Sequence, residues 1–523
     1  MKASEAFFNI AKSHGVTRVY GNPGTTELPL LDALKKFDIE YMLALQDGLC
    51  VAMAEGESLY TRKPSIVSLH TVLGLGNSIS YIYTSLKNRT PLIVSIGQQD
   101  TRHSFHNPFL YAKNDEIAKS VVKQVFTPFT QEDVPRVFVK AYRLCVTPPF
   151  GPVAIVLPMD YVDSDIKLEH KKENYSVKLG VDEEVVKSVA ERLDQAKNPA
   201  IVAGYELDIF NEHEALRKLA EKLCCDVYAE PLTSRCAFPS DHPLFCGDLL
   251  PASALLNMTL APYDFVLLVG CSLLLYPYTV LEPLYKKSVV EITYDAEEGF
   301  SRTWETHVCD VGWFLSELTL HVKKRERERT QNLKYSLLSK ATSAKFRMGA
   351  EHVLYQISKR NAGRAVFDEA VSLSPILRSF LGYFPKRYFS ARSGQLGWAL
   401  PASIGFSLAA LPSLAVIGDG SFNYASQALW SASKYQTDTV FIVLDNKGYA
   451  ILKSYARSRN MEVTEEEWLS PETKAESVAN AYGVDSRVAS DLDSLESALD
   501  WALSGKGPKL LRIEVDTTIP QLF

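Results

Sequence analysis

Six residues, Val416-Ile417-Gly418-Asp419-Gly420-Ser421, followed by Asn446 27 positions after Asp419, constrain this chain more than any other feature. The apolar run Leu414–Ile417 predicts a strand that ends in Gly418-Asp419-Gly420. A helical stretch is expected from Asn423 to Lys434, and a second strand over Thr439–Leu444 then delivers Asp445-Asn446-Lys447-Gly448. Strand, turn, helix, strand puts a carboxylate and an amide oxygen at two neighbouring strand ends, where parallel sheets bind their ligands. Both are hard oxygen donors, suited to a Mg2+ ion that also holds a phosphate group. Glycines let the backbone approach a diphosphate closely. A bare Gly-Asp-Gly is most often an ordinary turn; the flanking strands and the later Asn-x-Gly turn it into an expected metal–diphosphate cofactor site.

A chain of 523 residues exceeds one hydrophobic core, and about three domains are expected. Apolar content of 46% and charged content of 23% are ordinary for a globular enzyme. A net charge of −6 gives no case for nucleic acid or an anionic membrane as partner. The eight cysteines, Cys50, Cys145, Cys224, Cys225, Cys236, Cys246, Cys271 and Cys309, lie mostly in apolar runs without zinc or disulfide spacing, so reduced, buried thiols are expected. The first residues, Met1 to Phe8, read as a short amphipathic helix capped near Ser4 rather than as a signal peptide. No apolar stretch has the length of a bilayer span. A cytoplasmic location is expected.

Short apolar runs alternate with helical stretches throughout. In the first segment the expected strands are Thr17–Tyr20, Glu40–Leu45, Ser65–Leu69 and Pro91–Ile96, with helices through Met53–Tyr60 and over Gly74–Leu86. A polar stretch, Lys167–Lys178, reads as a linker. A second α/β unit follows from about Val181, with strands Ala200–Ala203, Asp226–Ala229, Phe265–Val269 and Ser288–Ile292, and ends near the charge run Lys323–Arg329. The third unit starts near Gly349 and carries the Asp419–Asn446 pattern. The expected fold class is α/β: three doubly wound domains with mainly parallel sheets, over residues 1–170, 181–325 and 349–523.

The pattern resembles the cofactor motif of the thiamine diphosphate-dependent 2-oxo acid decarboxylase/acetolactate synthase family. By that resemblance Asp419, Asn446 and the carbonyl of Gly448 bind the metal, and Gly420 and Ser421 lie beside the diphosphate. The family reads Asn-Asn where this chain has Asp445-Asn446; the ligand is the second residue, so the substitution leaves the site intact. The family's domain order matches the whole chain: a pyrimidine-binding domain, a central domain, then a diphosphate- and metal-binding domain. The text from Tyr20 to Pro29, Leu69-His70-Thr71, Gly74-Leu75-Gly76-Asn77, and Gly97-Gln98-Gln99 is similar to the benzoylformate decarboxylase branch.

The resemblance assigns further roles. Family members carry a glutamate that activates the cofactor by protonating its aminopyrimidine ring; here the position is Asp47. Aspartate is one methylene shorter, so its oxygens fall about 1.5 Å short, beyond a useful hydrogen bond unless the backbone shifts or a water bridges the gap. Alternatively, Asp47 caps the helix that follows. His70 matches a proton-transferring histidine, and Thr25 matches a serine that touches the substrate carboxylate. A second histidine of the branch is replaced by Pro277, which cannot transfer a proton; His103 or His106 could supply the missing acid. The Gly394 carbonyl accepts the aminopyrimidine amine, and Leu396 wedges the cofactor into its bent shape, a role compatible with packing into the core. Ser372 keeps a hydroxyl for the diphosphate, whereas Val371 has lost one. Tyr449 and Ile451 follow the metal motif on the cofactor and pocket wall, and the bulk of Ile451 disfavours a large aromatic substrate.

The implied activity is decarboxylation of a small or aliphatic 2-oxo acid, dependent on thiamine diphosphate and Mg2+, through an enamine intermediate. The alternative fate is attack of the enamine on a second carbonyl, as in a carboligase or acetolactate synthase. A protein that binds the cofactor but has weak or lost catalysis is the rival reading, motivated by Asp47, Val371 and Pro277. The family places its cofactor between the first domain of one chain and the third of another, so a homodimer, and by resemblance a homotetramer, is implied. No Gly-rich dinucleotide loop occurs between Val181 and Lys323, so a flavin or ADP in the central domain is not expected.

Overall fold

The computed structural model describes residues 1–167, 175–275, 284, 287–300, 304–326, 341–345, 348–409, 411–464 and 466–519. Two units are resolved by their internal packing: residues 1–175, 359–374 and 391–523 form the first, and residues 176–358 and 375–390 the second.

The first unit is built on two parallel sheets. The first contains β1 (Arg18–Gly21), β2 (Glu40–Leu43), β3 (Ser65–Leu69), β4 (Leu92–Gln98), β5 (Val125–Phe126) and β6 (Val153–Pro158), in the order β2-β1-β3-β4-β6-β5. Every residue of β3, β4 and β6 is buried, because helices cover both faces of a parallel sheet. One face packs on the helix Ala3–Ser13 and the helix Val134–Cys145 through Phe7, Phe8, Ile66, Ile93, Phe138 and Ile155. The strand order reverses between β1 and β3, which makes the loops after these two strands the edges of the ligand crevice.

The second unit holds β7 (Pro199–Ala203), β8 (Asp226–Ala229), β9 (Phe245–Asp248), β10 (Phe265–Val269), β11 (Ser288–Thr293) and β12 (Glu305–Val308), all parallel in the order β12-β11-β10-β7-β8-β9. Its crevice lies between β7 and β10, and two buried carboxylates fill it. Glu206 accepts from Thr293 Oγ1 at 2.7 Å and the Tyr294 N–H at 2.9 Å. Glu230 accepts from the N–H groups of Tyr205 at 2.8 Å and Ser272 at 2.5 Å. These are strand-end N–H groups of the kind a nucleotide phosphate would use.

β13 (Ala365–Glu369) returns the chain to the first unit, after which β14 (Tyr388–Ser390) lies in the second. The remaining strands, β15 (Ser413–Gly418), β16 (Thr439–Asp445), β17 (Asp485–Ala489) and β18 (Lys509–Glu514), complete the order β13-β15-β16-β18-β17 within the first unit. The helix Asp47–Thr61 crosses the helix Ala399–Ala409 at backbone contact: a Cβ on Gly56 would lie 1.9 Å from the Ala402 carbonyl oxygen, and one on Gly405 1.8 Å from that of Met53.

Three expectations need correction. The N-terminal helix has Lys2 rather than Ser4 at its N-cap, and Ser4 is buried. The stretch Asn423–Lys434 is not one helix. One turn starts at Asp419 itself (Asp419–Phe422), Ala425 leaves helical geometry at φ −141°, and a second helix spans Leu429–Tyr435. Cys224 and Cys246 are half-buried rather than buried, although all eight cysteines are free thiols as expected. Most of the linker Lys167–Lys178 and the end of the charge run Lys323–Arg329 lie outside the described residues. Among the described residues no helix is long and apolar enough to cross a membrane.

Candidate active site

Thr25 and His70 sit on the two loops at the switch point of the first sheet. After β1 the chain turns through Gly24, which must be glycine because a Cβ there would lie 2.0 Å from His70 Nδ1. Thr25, Thr26 and Glu27 form a 3-10 turn that leaves Thr25 exposed and buries the other two. Glu27 Oε2 accepts from His70 Nδ1 at 2.8 Å and from the Gly24 N–H at 3.1 Å, while Oε1 accepts from Thr26 Oγ1 at 2.7 Å. The carboxylate fills the space over Gly97, where a Cβ would meet Oε1 at 1.8 Å. This pairing places the imidazole proton on Nδ1 and leaves Nε2 as the ring's acceptor nitrogen. Glu27, which the sequence reading did not single out, is brought against His70 here. The only signal was a lone acid in the same strand-end loop as Thr25, which carries no pattern of its own.

His70 is the N-cap of the helix Thr71–Lys87, and Thr71 has φ +47°. Val371, beside Ser372, has φ +52°. Positive φ at β-branched residues is strained, and such strain collects at functional loops. Ser372 itself is buried in the 3-10 turn Val371–Leu373.

Asp47 opens the helix Asp47–Thr61, but it is not the cap. Gln46 holds the N-cap position and accepts the Leu49 N–H at 3.0 Å. Asp47 is only 6% exposed, and its Oδ1 is buried without a hydrogen-bond partner. A Cβ on Gly74 would lie 2.6 Å from that oxygen, so only glycine at 74 leaves room for it. Burial raises the Asp47 carboxyl above the ordinary range, opposed by the Asn77 side chain and by backbone N–H groups including that of His70. A buried carboxyl with a raised pKa and one unpartnered oxygen suits an engagement with a heterocyclic nitrogen.

Asp419 and Asn446 follow the ends of β15 and β16, whose Gly418 and Leu444 are register partners. Asp419 is held by two backbone N–H groups, Gly420 to Oδ1 at 2.9 Å and Gly448 to Oδ2 at 3.0 Å. Burial, and next the neighbouring Asp445 carboxylate, push its pKa up. Asp445 also accepts from Lys447 Nζ at 2.8 Å, Arg512 Nη1 at 2.7 Å and the Lys447 N–H at 3.1 Å. Burial would raise the Asp445 carboxyl, but Lys447 and Arg512 hold it below the ordinary range. Asn446 Oδ1 is buried with no partner. An orphaned amide oxygen next to a backbone-anchored carboxylate fits a hard divalent cation. Among the described residues no cluster of three or more His, Cys, Asp or Glu competes for a metal. Gly420 is overlain by the half-buried Tyr449 ring, 2.5 Å from where a Cβ would stand, and Ser421 is buried on the same turn. Ile451 is half-buried in the helix Ala450–Ser458.

Gly394 has φ +75°, and nothing lies within 4 Å of the position its Cβ would take. Leu396 is half-buried. His103 and His106 are exposed around the 3-10 turn Ser104–His106. Pro277 lies outside the described residues.

Parallel α/β sheets that carry hard oxygen donors and buried acid–base groups at their strand ends define a cofactor-dependent α/β enzyme. The N-terminal TPP binding domain of thiamine pyrophosphate enzymes matches residues 1–116, the central domain of those enzymes residues 186–318, and their C-terminal TPP binding domain residues 376–513. The chain is 30% identical to a benzoylformate decarboxylase of Pseudomonas aeruginosa, over 98% of this chain and 99% of the relative. It is 26% identical to the acetolactate synthase large subunit of Buchnera aphidicola subsp. Acyrthosiphon pisum, over 84% of this chain and 81% of that one. The crystal structure of benzoylformate decarboxylase from Polynucleobacter necessarius superposes with a TM-score of 0.91 at 28% identity, over 99% of each chain. The protein belongs to the thiamine diphosphate-dependent 2-oxo acid decarboxylase/acetolactate synthase family, and is an enzyme of decarboxylase or carboligase type.

Proposed function

We propose that the protein decarboxylates a small or aliphatic 2-oxo acid, using thiamine diphosphate and Mg2+. The observation that carries this reading is Asn446 Oδ1, a buried oxygen without a partner at a strand end beside the anchored carboxylate of Asp419. In the proposed assignment Asp419, Asn446 and the Gly448 carbonyl hold the metal, and Gly420, Ser421 and Ser372 lie along the diphosphate. Gly394 and Leu396 hold the aminopyrimidine half, and Tyr449 and Ile451 wall the pocket. Residues 1–170, 181–325 and 349–523 are the pyrimidine-binding, central and diphosphate-binding domains. The cofactor sits between the first domain of one chain and the third of another, in a homodimer or homotetramer.

When bound, thiamine diphosphate supplies the sink for the electron pair released as CO2 leaves. The chain supplies the acid–base work. Asp47 Oδ1, without a partner among the described residues, would hold the proton that the aminopyrimidine half of the cofactor needs. His70 Nε2, with Nδ1 tied to Glu27, moves a proton at the substrate carbonyl oxygen, and the exposed Thr25 hydroxyl orients the substrate carboxylate. Carboligation is the second reading, favoured by Pro277, which removes one acid able to protonate the product carbon.

The test is deuterium exchange at the thiazolium carbon, with and without Mg2+, for the wild type and Asp47→Glu. Exchange well above that of free cofactor is expected in the wild type, rising further in Asp47→Glu if the short side chain limits activation. Exchange no faster than free cofactor would sink the reading. Turnover of pyruvate, longer aliphatic 2-oxo acids and benzoylformate then sets the substrate class, and fastest turnover of benzoylformate would refute the small-substrate assignment.

A further inference from the structure

Glu55 lies two turns beyond Asp47 on the helix Asp47–Thr61, and it is completely buried. Four neutral donors surround its carboxylate. Oε2 accepts from Trp398 Nε1 at 2.8 Å and Ser85 Oγ at 2.9 Å; Oε1 accepts from Asn88 Nδ2 at 2.8 Å and Thr90 Oγ1 at 3.1 Å. A buried carboxylate so placed is costly unless its lone pairs are met, and here they are met by groups from two separate segments, Ser85–Thr90 and Trp398.

Two of those donors act on one loop, Ala391–Trp398. Trp398 is its last residue. Asn88, whose amide group donates to Glu55, uses its Oδ1 to accept the Arg392 N–H at 2.9 Å. The same end of the loop is tied by Arg392 Nη1 to the Lys87 carbonyl at 2.8 Å and by Ser393 Oγ to Thr84 Oγ1 at 2.8 Å. The far end is held by Glu369, which accepts the N–H groups of Gly397 at 2.5 Å, Trp398 at 2.9 Å and Ala399 at 2.7 Å. Between these grips Gly394 is exposed with no neighbour where a Cβ would stand, and Leu396 is only partly buried.

We propose that Glu55 is a positioning residue for the cofactor, fixing through Trp398 and Asn88 both ends of the loop that presents the Gly394 carbonyl and the Leu396 side chain. The inference rests on the reading above that this loop faces thiamine diphosphate. A glutamine at 55 has the same shape but one acceptor oxygen. Its amide hydrogens must then oppose either Trp398 Nε1, which can only donate, or Asn88 Nδ2, whose partner oxygen is already engaged by Arg392. One end of the loop is released in either case. Trp398→Phe removes a single hydrogen bond and keeps a ring in the same space.

The experiment uses the full chain with thiamine diphosphate and Mg2+, comparing the wild type with Glu55→Gln and Trp398→Phe. Cofactor affinity is read by titration, and backbone amide exchange by peptide, with and without cofactor. Glu55→Gln is expected to weaken cofactor binding roughly tenfold or more and Trp398→Phe several-fold. Amide exchange is expected to accelerate over residues 391–398 and not over Leu92–Gln98 of β4. Unchanged affinity and unchanged exchange at 391–398 in both variants overturn the proposal. If Glu55→Gln does not fold, Trp398→Phe decides alone. A wild type that binds no cofactor overturns the site reading itself and this inference with it, a result distinct from a wild type that binds and variants that bind equally well.

Discussion

Glu27 Oε2 and His70 Nδ1 lie 2.8 Å apart, and this pair joins the two loops of the switch point into one unit. The carboxylate is 3% exposed and is oriented by the Gly24 N–H and the Thr26 hydroxyl, so it is a fixed partner and not a mobile one. Glu27→Gln keeps the volume but can present an amide N–H to His70 Nδ1, which turns the proton onto Nε2. The tautomer with its proton on Nε2 cannot accept a proton at the reacting atom. A fall in kcat of about 10²-fold is expected, with a displaced pH–rate profile and little change in KM or melting temperature. Equal losses in kcat and thermal stability would mean that Glu27 is only structural.

Much of this arrangement is legible in the amino-acid sequence, for a physical reason. Strands buried on both faces are short apolar-rich runs with abrupt ends, so Ser65–Leu69 and Phe265–Val269 are readable to the residue. The positions of His70, Asp419 and Asn446 at strand ends are readable with them. Glu27 and Glu55 are not readable, because each acts through contacts with residues 30 or more positions away, and a lone acid carries no period. The break after Phe422 is hidden too, since Tyr424 and Ala425 carry no helix-breaking signal of their own.

The orphaned Asn446 oxygen makes a direct prediction about the metal. Asn446→Ala removes a buried acceptor that has no partner among the described residues, so the folded protein loses little by the change. Cofactor binding, by contrast, should weaken by about tenfold or more and lose its dependence on Mg2+. Titration of thiamine diphosphate with and without EDTA, in parallel with a thermal melt, separates the two. A lowered melting temperature of the cofactor-free protein with unchanged Mg2+ dependence would show that Asn446 serves the fold.

Ile451 is the second residue of the helix Ala450–Ser458, which follows Gly448 and Tyr449 directly, and its side chain is half-buried. In the proposed assignment its branched side chain walls the substrate pocket and takes the volume that an aromatic ring would need. Ile451→Ala should therefore raise kcat/KM for benzoylformate relative to pyruvate by about 10–100-fold. The measurement is the ratio of the two specificity constants in wild type and variant. An unchanged ratio would remove Ile451 from the pocket wall.

Glu206 in the second unit gives a prediction about pH and stability that is independent of the cofactor. Burial, opposed by the Tyr294 N–H and the Thr293 hydroxyl, raises its carboxyl from the ordinary 4.5 to about 8. The folded state therefore holds this proton more tightly than the unfolded chain does. Its contribution is complete below the unfolded pKa and is lost as pH rises toward the folded one, between about 4.5 and about 8. Glu206→Gln removes the titration while its amide can still accept from Tyr294 and donate to Thr293 Oγ1. The variant should gain on the wild type by about 2–4 kcal/mol between pH 5 and pH 9. Urea unfolding of both proteins across that range tests this, and a constant difference between them would show that Glu206 is ionised in the folded protein throughout.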